Sequence, residues 1–416
     1  MISTDDVAGF AADVEYDRLP DDVREAVKRR LLDAVAVGLY NRSSAPTDAV
    51  RRGLTPDETA ATRESRLWGS AVTASAPRAA MANAVAVAAG NGPTVLSPTP
   101  APVAGSIAAV VAASDAYRAT GEETTAGLAA ALELHGECAW NAPLDGLHPA
   151  THTALAAAVG AGRTMGLSEP ALADAIGLAT SHVSLSIGSP SDPIPTGTAA
   201  LNGLYACLLA DGGVTAPDGL AGPGGLHDRL GPFDLDLDPG CERVRDAAVL
   251  PYDADPHEQT AIGAAVALAT GTPIDPAEID TVTVATAGPA IDAVAPGRIA
   301  AALIDRELAT DPGIRADLEP VAESVSVVDD DGLAARGSAG TFPARITVES
   351  RDGTVSETTH ETFDGHPSTP ASWGTVEEKF HALAGETYDR TRRERIIETA
   401  RSFEAESATE LARLLR

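Results

Sequence analysis

The segment GLHPATHT, residues 146–153, holds the side chains best suited to chemistry in this chain. Pro149 sits where a helix can begin, because its missing N–H would have no partner in the first turn, and His148 stands just before it. An imidazole fixed at a helix entrance, with an unperturbed pKa near neutrality, suits acid/base work. Two plainer duties compete. His152 lies four residues on, so HxxxH reads as a metal pair, but no third ligand at fitting spacing accompanies it and no metal is expected. A helix-capping or packed histidine needs only a local partner.

Other chemical signals are weaker. His257 in DADPHEQTAIGAAVAL opens a second helix, and by the same local argument it reads first as a cap. GPGG at 222–225 lacks the preceding strand and the spacing of a phosphate cradle, and reads as a turn. Neither a nucleophile elbow nor HExxH occurs. Cys138, Cys207 and Cys241 show no paired spacing and read as free buried thiols.

The elements that must carry these residues are mostly helical. PDDVREAVKRRLLDAVAVGLY places Val23, Val27, Leu31, Ala34, Val35 and Leu39 three and four apart, with Asp21 and Asp22 in the first turn. Ala-rich helical stretches follow at 76–90, 104–119, 124–135, 149–166, 169–181 and 197–211, and small side chains let such helices approach closely. The pattern changes after PYDADPHE. Alternation at IDTVTVATAG and PARITVESRDGTVSETTHETF predicts strands, with Asp352-Gly353 marking a hairpin, and PGRIAAALIDREL between them predicts a helix. Helical periodicity returns at TVEEKFHAL and RRERIIETARSFEAESATELARLL. The expected organisation is a large all-helical domain, 1–247 plus 370–416, interrupted by an α+β domain at 248–369.

Charge bounds the partners. The chain of 416 residues has 60 acidic against 30 basic residues, a formal charge of −30, and only two lysines, Lys28 and Lys379. Such self-repulsion is tolerable where salt screens it, over about 3 Å at molar ionic strength, so adaptation to a salt-loaded cell is expected and nucleic acid is not. The amino terminus MISTDDVAGF has neither basic residues nor an apolar core. Apolar runs such as GSIAAVVAAS stop short of the ~20 residues of a membrane span, so a cytoplasmic protein is expected.

Further landmarks run nearly end to end. They are RRLLDAVAVGL, GLHPATHTALAAAVGAGRTMGLSEPALADAIGLA, NGLYACLLADGGVTAPDGLAGPGGL, PARITVESRDGTV and GHPSTPASWGTVEEKFHALAG. In order and spacing they resemble the MmgE/PrpD superfamily, which includes 2-methylcitrate dehydratase, cis-aconitate decarboxylase and an iminodisuccinate epimerase. The resemblance implies a mainly α fold in which a smaller α+β lid is inserted into the helical domain, a site between the two, a homodimer and no cofactor. It implies that His148 keeps the catalytic histidine of the GxHP motif, and that Asn91, Thr94, Tyr252 and His257 contact the substrate, a small carboxylic acid.

Much of the family's polar set is absent. Where a histidine and an LDxDD-Thr stretch are usual, this chain has Ala88, then Gly90, Asn91, Gly92, Pro93, Thr94 and Val95. A further histidine falls near Pro100 or Ala101. One lysine position aligns with Asp192 and another with Leu250, and a Ser-x-Pro-Tyr pattern becomes Val294, Ala295, Pro296 and Gly297. Losing a positioned acid or base commonly costs 10²- to 10⁴-fold or about that, and carboxylate-binding cations would have to come from new places, such as Arg298 or Arg345. The expected function is therefore a divergent dehydratase, decarboxylase or isomerase of a small polycarboxylate, with His148 as acid/base. The alternative is a catalytically inactive paralogue that binds a ligand or partner subunit.

Overall fold

The computed structural model describes residues 1–53, 63–97, 100–144, 146–182, 192–272, 274–306, 313, 315–337 and 340–416. Mainly helical, the chain divides into two compact units, one formed by Met1–Ser97, Ala101–Ala247 and Val376–Arg416, the other chiefly by Ala248–Thr375.

The first unit contains α1 (Thr4–Asp13), α2 (Asp21–Tyr40), α3 (Ala45–Gly53), α4 (Ala76–Ala88), α5 (Ala104–Tyr117), α6 (Gly121–Asn141), α7 (Ala150–Thr164), α8 (Glu169–Ala179) and α9 (Pro193–Asp211). Ser3 and Thr120 start α1 and α6 with reciprocal capping boxes, and Asp192 caps α9 by accepting the Ile194 N–H at 3.0 Å. Short strands β1 (Glu64–Arg66) and β2 (Thr73–Ser75) pair antiparallel, as do β3 (Thr94–Val95) and β4 (Ala101–Pro102).

Helix α7 is the packing centre of this unit: every residue in it except Arg163 is buried. Glycines set how closely its neighbours approach. A Cβ on Gly127 of α6 would lie 2.6 Å from the Gly160 carbonyl of α7, and one on Gly203 of α9 would lie 2.6 Å from the Ala154 carbonyl. A Cβ on Gly105 of α5 would lie 2.5 Å from Thr153. Real Cβ atoms do not fit at such distances, so backbone meets backbone where larger side chains would hold the helices apart.

In the second unit, β5 (Ile279–Thr286), β6 (Val325–Asp329), β7 (Ala344–Ser350) and β8 (Val355–His360) form a sheet of order β6-β5-β7-β8, in which only the β5–β6 pair is parallel. The Asp352-Gly353 hairpin forms between β7 and β8, with Gly353 at φ 84. Val282, Val284, Ile346 and Val348 share a core with Ile262 and Ala265 of α10 (Gln259–Gly271) and Ile299 and Leu303 of α11 (Pro296–Asp305). The predicted helix from Pro296 is thus present, while its last two residues, 307 and 308, lie outside the described residues.

The chain continues through α12 (Trp373–Leu383), α13 (Arg390–Arg401) and α14 (Ala408–Leu414). Both lysines tie this C-terminal segment to α2. Lys379 Nζ lies 2.6 Å from Asp33, and Lys28 Nζ reaches Glu404 at 3.2 Å and the Arg401 carbonyl at 2.8 Å. Both lysines and Asp33 are buried. The lysines therefore serve the fold, because a buried charge persists only where an opposite one meets it.

Two stability predictions follow from this packing. Gly160→Val overfills the α6–α7 contact and is expected to lower unfolding free energy in molar KCl by ~1–3 kcal/mol. Lys379→Met strands the Asp33 carboxylate and is expected to cost about 3–5 kcal/mol. Denaturant midpoints at unchanged m-value read both.

Candidate functional site

His148 is placed by the start of α7. The turn is already wound, since the Thr151 N–H reaches the His148 carbonyl at 2.9 Å and the His152 N–H reaches the Pro149 carbonyl at 3.1 Å. Pro149 is the residue before the helix, one place earlier than the position expected from its missing N–H. Nδ1 of His148 accepts the Ala150 N–H at 3.1 Å, so the neutral ring carries its proton on Nε2. The capping bond thus occupies one nitrogen of the ring and leaves the proton on the other. The residue is buried, 2 % exposed.

His152, the other half of the HxxxH spacing, packs against α6. Its ring meets His135 of α6 edge-on, with centroids 6.3 Å apart. Among the described residues no three His, Cys, Asp or Glu side chains are grouped to hold a metal ion. Both nitrogens of His135 and Nε2 of His152 lack a hydrogen-bond partner among the described residues. Burial pushes His135 down to about 3, with His152 adding to the effect, and His152 down to about 4, against a hydrogen bond to the Ala142 backbone.

Asn91 and Thr94 follow α4. Asn91 is half-buried, and Thr94 is buried in β3 with its Oγ1 unbonded among the described residues. The positions that differ from the family pattern are structurally committed. Asp192 is a helix cap, Leu250 is buried, and Val294 belongs to the core of the second unit.

Tyr252 and His257 share the loop that enters α10. The Gln259 amide clamps this loop by donating to the carbonyls of Tyr252 at 3.1 Å and Ala254 at 2.8 Å. Burial raises the Tyr252 hydroxyl to about 12, and the Asp364 charge adds to this. Nδ1 of His257 lies 2.5 Å from Asp255 Oδ1, so the carboxylate accepts the ring proton and Nε2 is left as an acceptor. Desolvation works against the Asp255 carboxylate, but hydrogen bonds from the His257 ring and backbone prevail and hold its pKa down.

Sequence reasoning missed Asp255 and His360. The D-x-H spacing offered the first. The second has no local signal: it ends β8, and only the fold brings it to Gly263, where an added Cβ would lie 3.9 Å from its Nδ1 and 3.6 Å from the Tyr252 hydroxyl. Arg298 and Arg345 already face carboxylates, Glu258 and Asp330, each at 2.5 Å. Glu258 is fully buried, and burial raises its pKa against the Ala295 N–H and the Arg298 charge.

Comparison with family models matches residues 5–231 to the MmgE/PrpD N-terminal domain and residues 252–405 to the MmgE/PrpD C-terminal domain. No curated protein matches the chain. Among the described residues no helix is long and apolar enough to cross a membrane.

The histidine pair sets a pH dependence. Both folded pKa values lie below the ordinary imidazole value of about 6.5, so the unfolded chain binds more protons as pH falls. The pair's contribution is complete above 6.5 and is lost as pH falls toward about 4 and then about 3. His135→Leu is expected to remove about one proton's worth of slope, ~1.4 kcal/mol per pH unit, from unfolding free energy measured between pH 6.5 and 4.5.

Proposed function

The chain belongs to the MmgE/PrpD family, and we propose that it is a divergent, cofactor-independent lyase or isomerase of a small polycarboxylate. In this reading it works as a cytoplasmic homodimer adapted to high salt. The observation that carries the proposal is the tautomer of His148, whose Nδ1 is occupied by the Ala150 N–H and whose Nε2 therefore bears a proton.

Dehydration of a β-hydroxy acid needs a base at the carbon beside a carboxylate and an acid at the leaving hydroxyl. His148 has the donor nitrogen for the second task. The base takes the carbon-bound proton, the C–O bond breaks, the hydroxyl leaves as water with the His148 proton, and a C=C bond remains. Asn91, Thr94 and Tyr252 are assigned to substrate, with the unbonded Thr94 hydroxyl as a donor to a carboxylate.

A second reading, a non-catalytic paralogue that binds a ligand or partner subunit, is favoured by the burial of His148 and by the apolar or capping roles of Leu250, Val294 and Asp192. An assay of purified protein in molar KCl with 2-methylcitrate, citrate and cis-aconitate separates the two. The proposal expects turnover of at least one, reduced ~10²- to 10⁴-fold by His148→Ala. Absence of turnover of all three would favour the paralogue.

A further inference from the structure

We propose that Gly263 opens a substrate subsite in the second unit, where the Tyr252 hydroxyl and the His360 imidazole hold a hydroxyl group of the ligand between them. The inference rests on the reading of the chain as an enzyme of small polycarboxylates, and it adds recognition of a hydroxy acid.

The argument starts from a glycine that the fold does not require. Gly263 lies inside α10, between Ile262 and the alanines at 264 and 265. A glycine there weakens a helix relative to alanine, because it loses more backbone freedom on folding. Around α7 close packing demands such glycines: a Cβ on Gly160 would lie 2.6 Å from Ala131 and 2.6 Å from Val110. At Gly263 the backbone is equally helical, but the atoms nearest to an added Cβ lie at 3.6, 3.7 and 3.9 Å, which are ordinary contact distances. Alanine would fit without displacing anything.

The space that Gly263 leaves is bordered by two polar atoms. The three nearest atoms to the missing Cβ are the Tyr252 hydroxyl oxygen, a carbon of the same ring and His360 Nδ1. Tyr252 is hydrogen-bonded through its backbone alone, and neither its hydroxyl nor the His360 ring has a hydrogen-bond partner among the described residues. Gly263, Tyr252 and His360 are all half-buried, so the space meets solvent.

Both side chains are held by rigid elements. Gln259, one turn before Gly263 on α10, accepts the Tyr252 N–H at 3.2 Å and donates to its carbonyl at 3.1 Å. His360 ends β8, where it pairs with buried Ala344 of β7. One helix thus fixes the tyrosine and opens the space beside it, while the sheet brings the imidazole to the same point.

The chemistry of the pair selects the ligand group. Burial raises the Tyr252 hydroxyl to about 12, with the Asp364 charge adding to this, and burial lowers the pKa of His360. At neutral pH the phenol therefore keeps its proton and the imidazole is uncharged. A carboxylate seated there would meet no cation among these nearest atoms. A hydroxyl both donates and accepts, so it pairs with the phenol and with either tautomer of the neutral ring.

Calorimetric titration in molar KCl with citrate and with tricarballylate, which is citrate without its hydroxyl, tests the inference. The unsubstituted protein should bind citrate about tenfold more tightly than tricarballylate, as one or two sheltered hydrogen bonds would give. Gly263→Ala should erase that preference while raising the denaturant midpoint, and Tyr252→Phe and His360→Ala should each reduce the preference several-fold. Equal affinities for the two anions in the unsubstituted protein, saturable binding of neither, an undiminished preference in Gly263→Ala, or a lowered midpoint in that variant overturns it. Turnover measured in parallel separates this inference from the reading beneath it. A hydroxyl preference without turnover contradicts the lyase reading alone, and turnover with equal affinities contradicts the subsite alone.

Discussion

Backbone contact around α7 is the constraint on which the first unit depends. Gly127, Gly160, Gly203 and Gly105 allow three neighbouring helices to close on a helix whose side chains are nearly all small. Dispersion and burial then act over a dense interface made largely of alanine. The same density fixes the first turn of α7, and with it the orientation of His148. The orientation of that ring is therefore inherited from packing along the whole helix.

Charge is handled differently inside and outside. The chain carries an acidic excess of 30 charges, whose mutual repulsion salt weakens. Inside, Lys379 meets Asp33 and Glu258 meets Arg298, while buried Arg30 is held by the carbonyls of Ala26 and Ala247. Pairing of this kind explains why lysine is nearly absent yet not wholly so. The two that remain lock α2 to the C-terminal helices, and neither is free for the role that lysines fill in the family pattern.

The helices and the hairpin were legible in sequence because their signals are local. Apolar spacing of three and four gave α2, α4, α5, α7, α8 and α9, and Asp352-Gly353 gave the β7–β8 turn. His148 was legible through its neighbour Pro149, although the structure shifts the helix start by one residue. What local spacing does not carry is pairing between distant segments. The His135–His152 contact, the Lys379–Asp33 ion pair and the approach of His360 to Tyr252 at Gly263 join residues that only the fold brings together. Arg298 and Arg345 illustrate the converse: as bare sequence they were available cations, and the fold has already given each a carboxylate.

The central claim is that α7 holds His148 as the tautomer protonated on Nε2. Nitrogen NMR of the ¹⁵N-histidine-labelled protein in molar KCl, with the His148 signals assigned by their loss in His148→Asn, reads this directly. The account predicts a protonated Nε2 and an unprotonated, hydrogen-bonded Nδ1 at neutral pH. A proton found on Nδ1 would contradict it, because the Ala150 N–H could not then be bonded to that nitrogen.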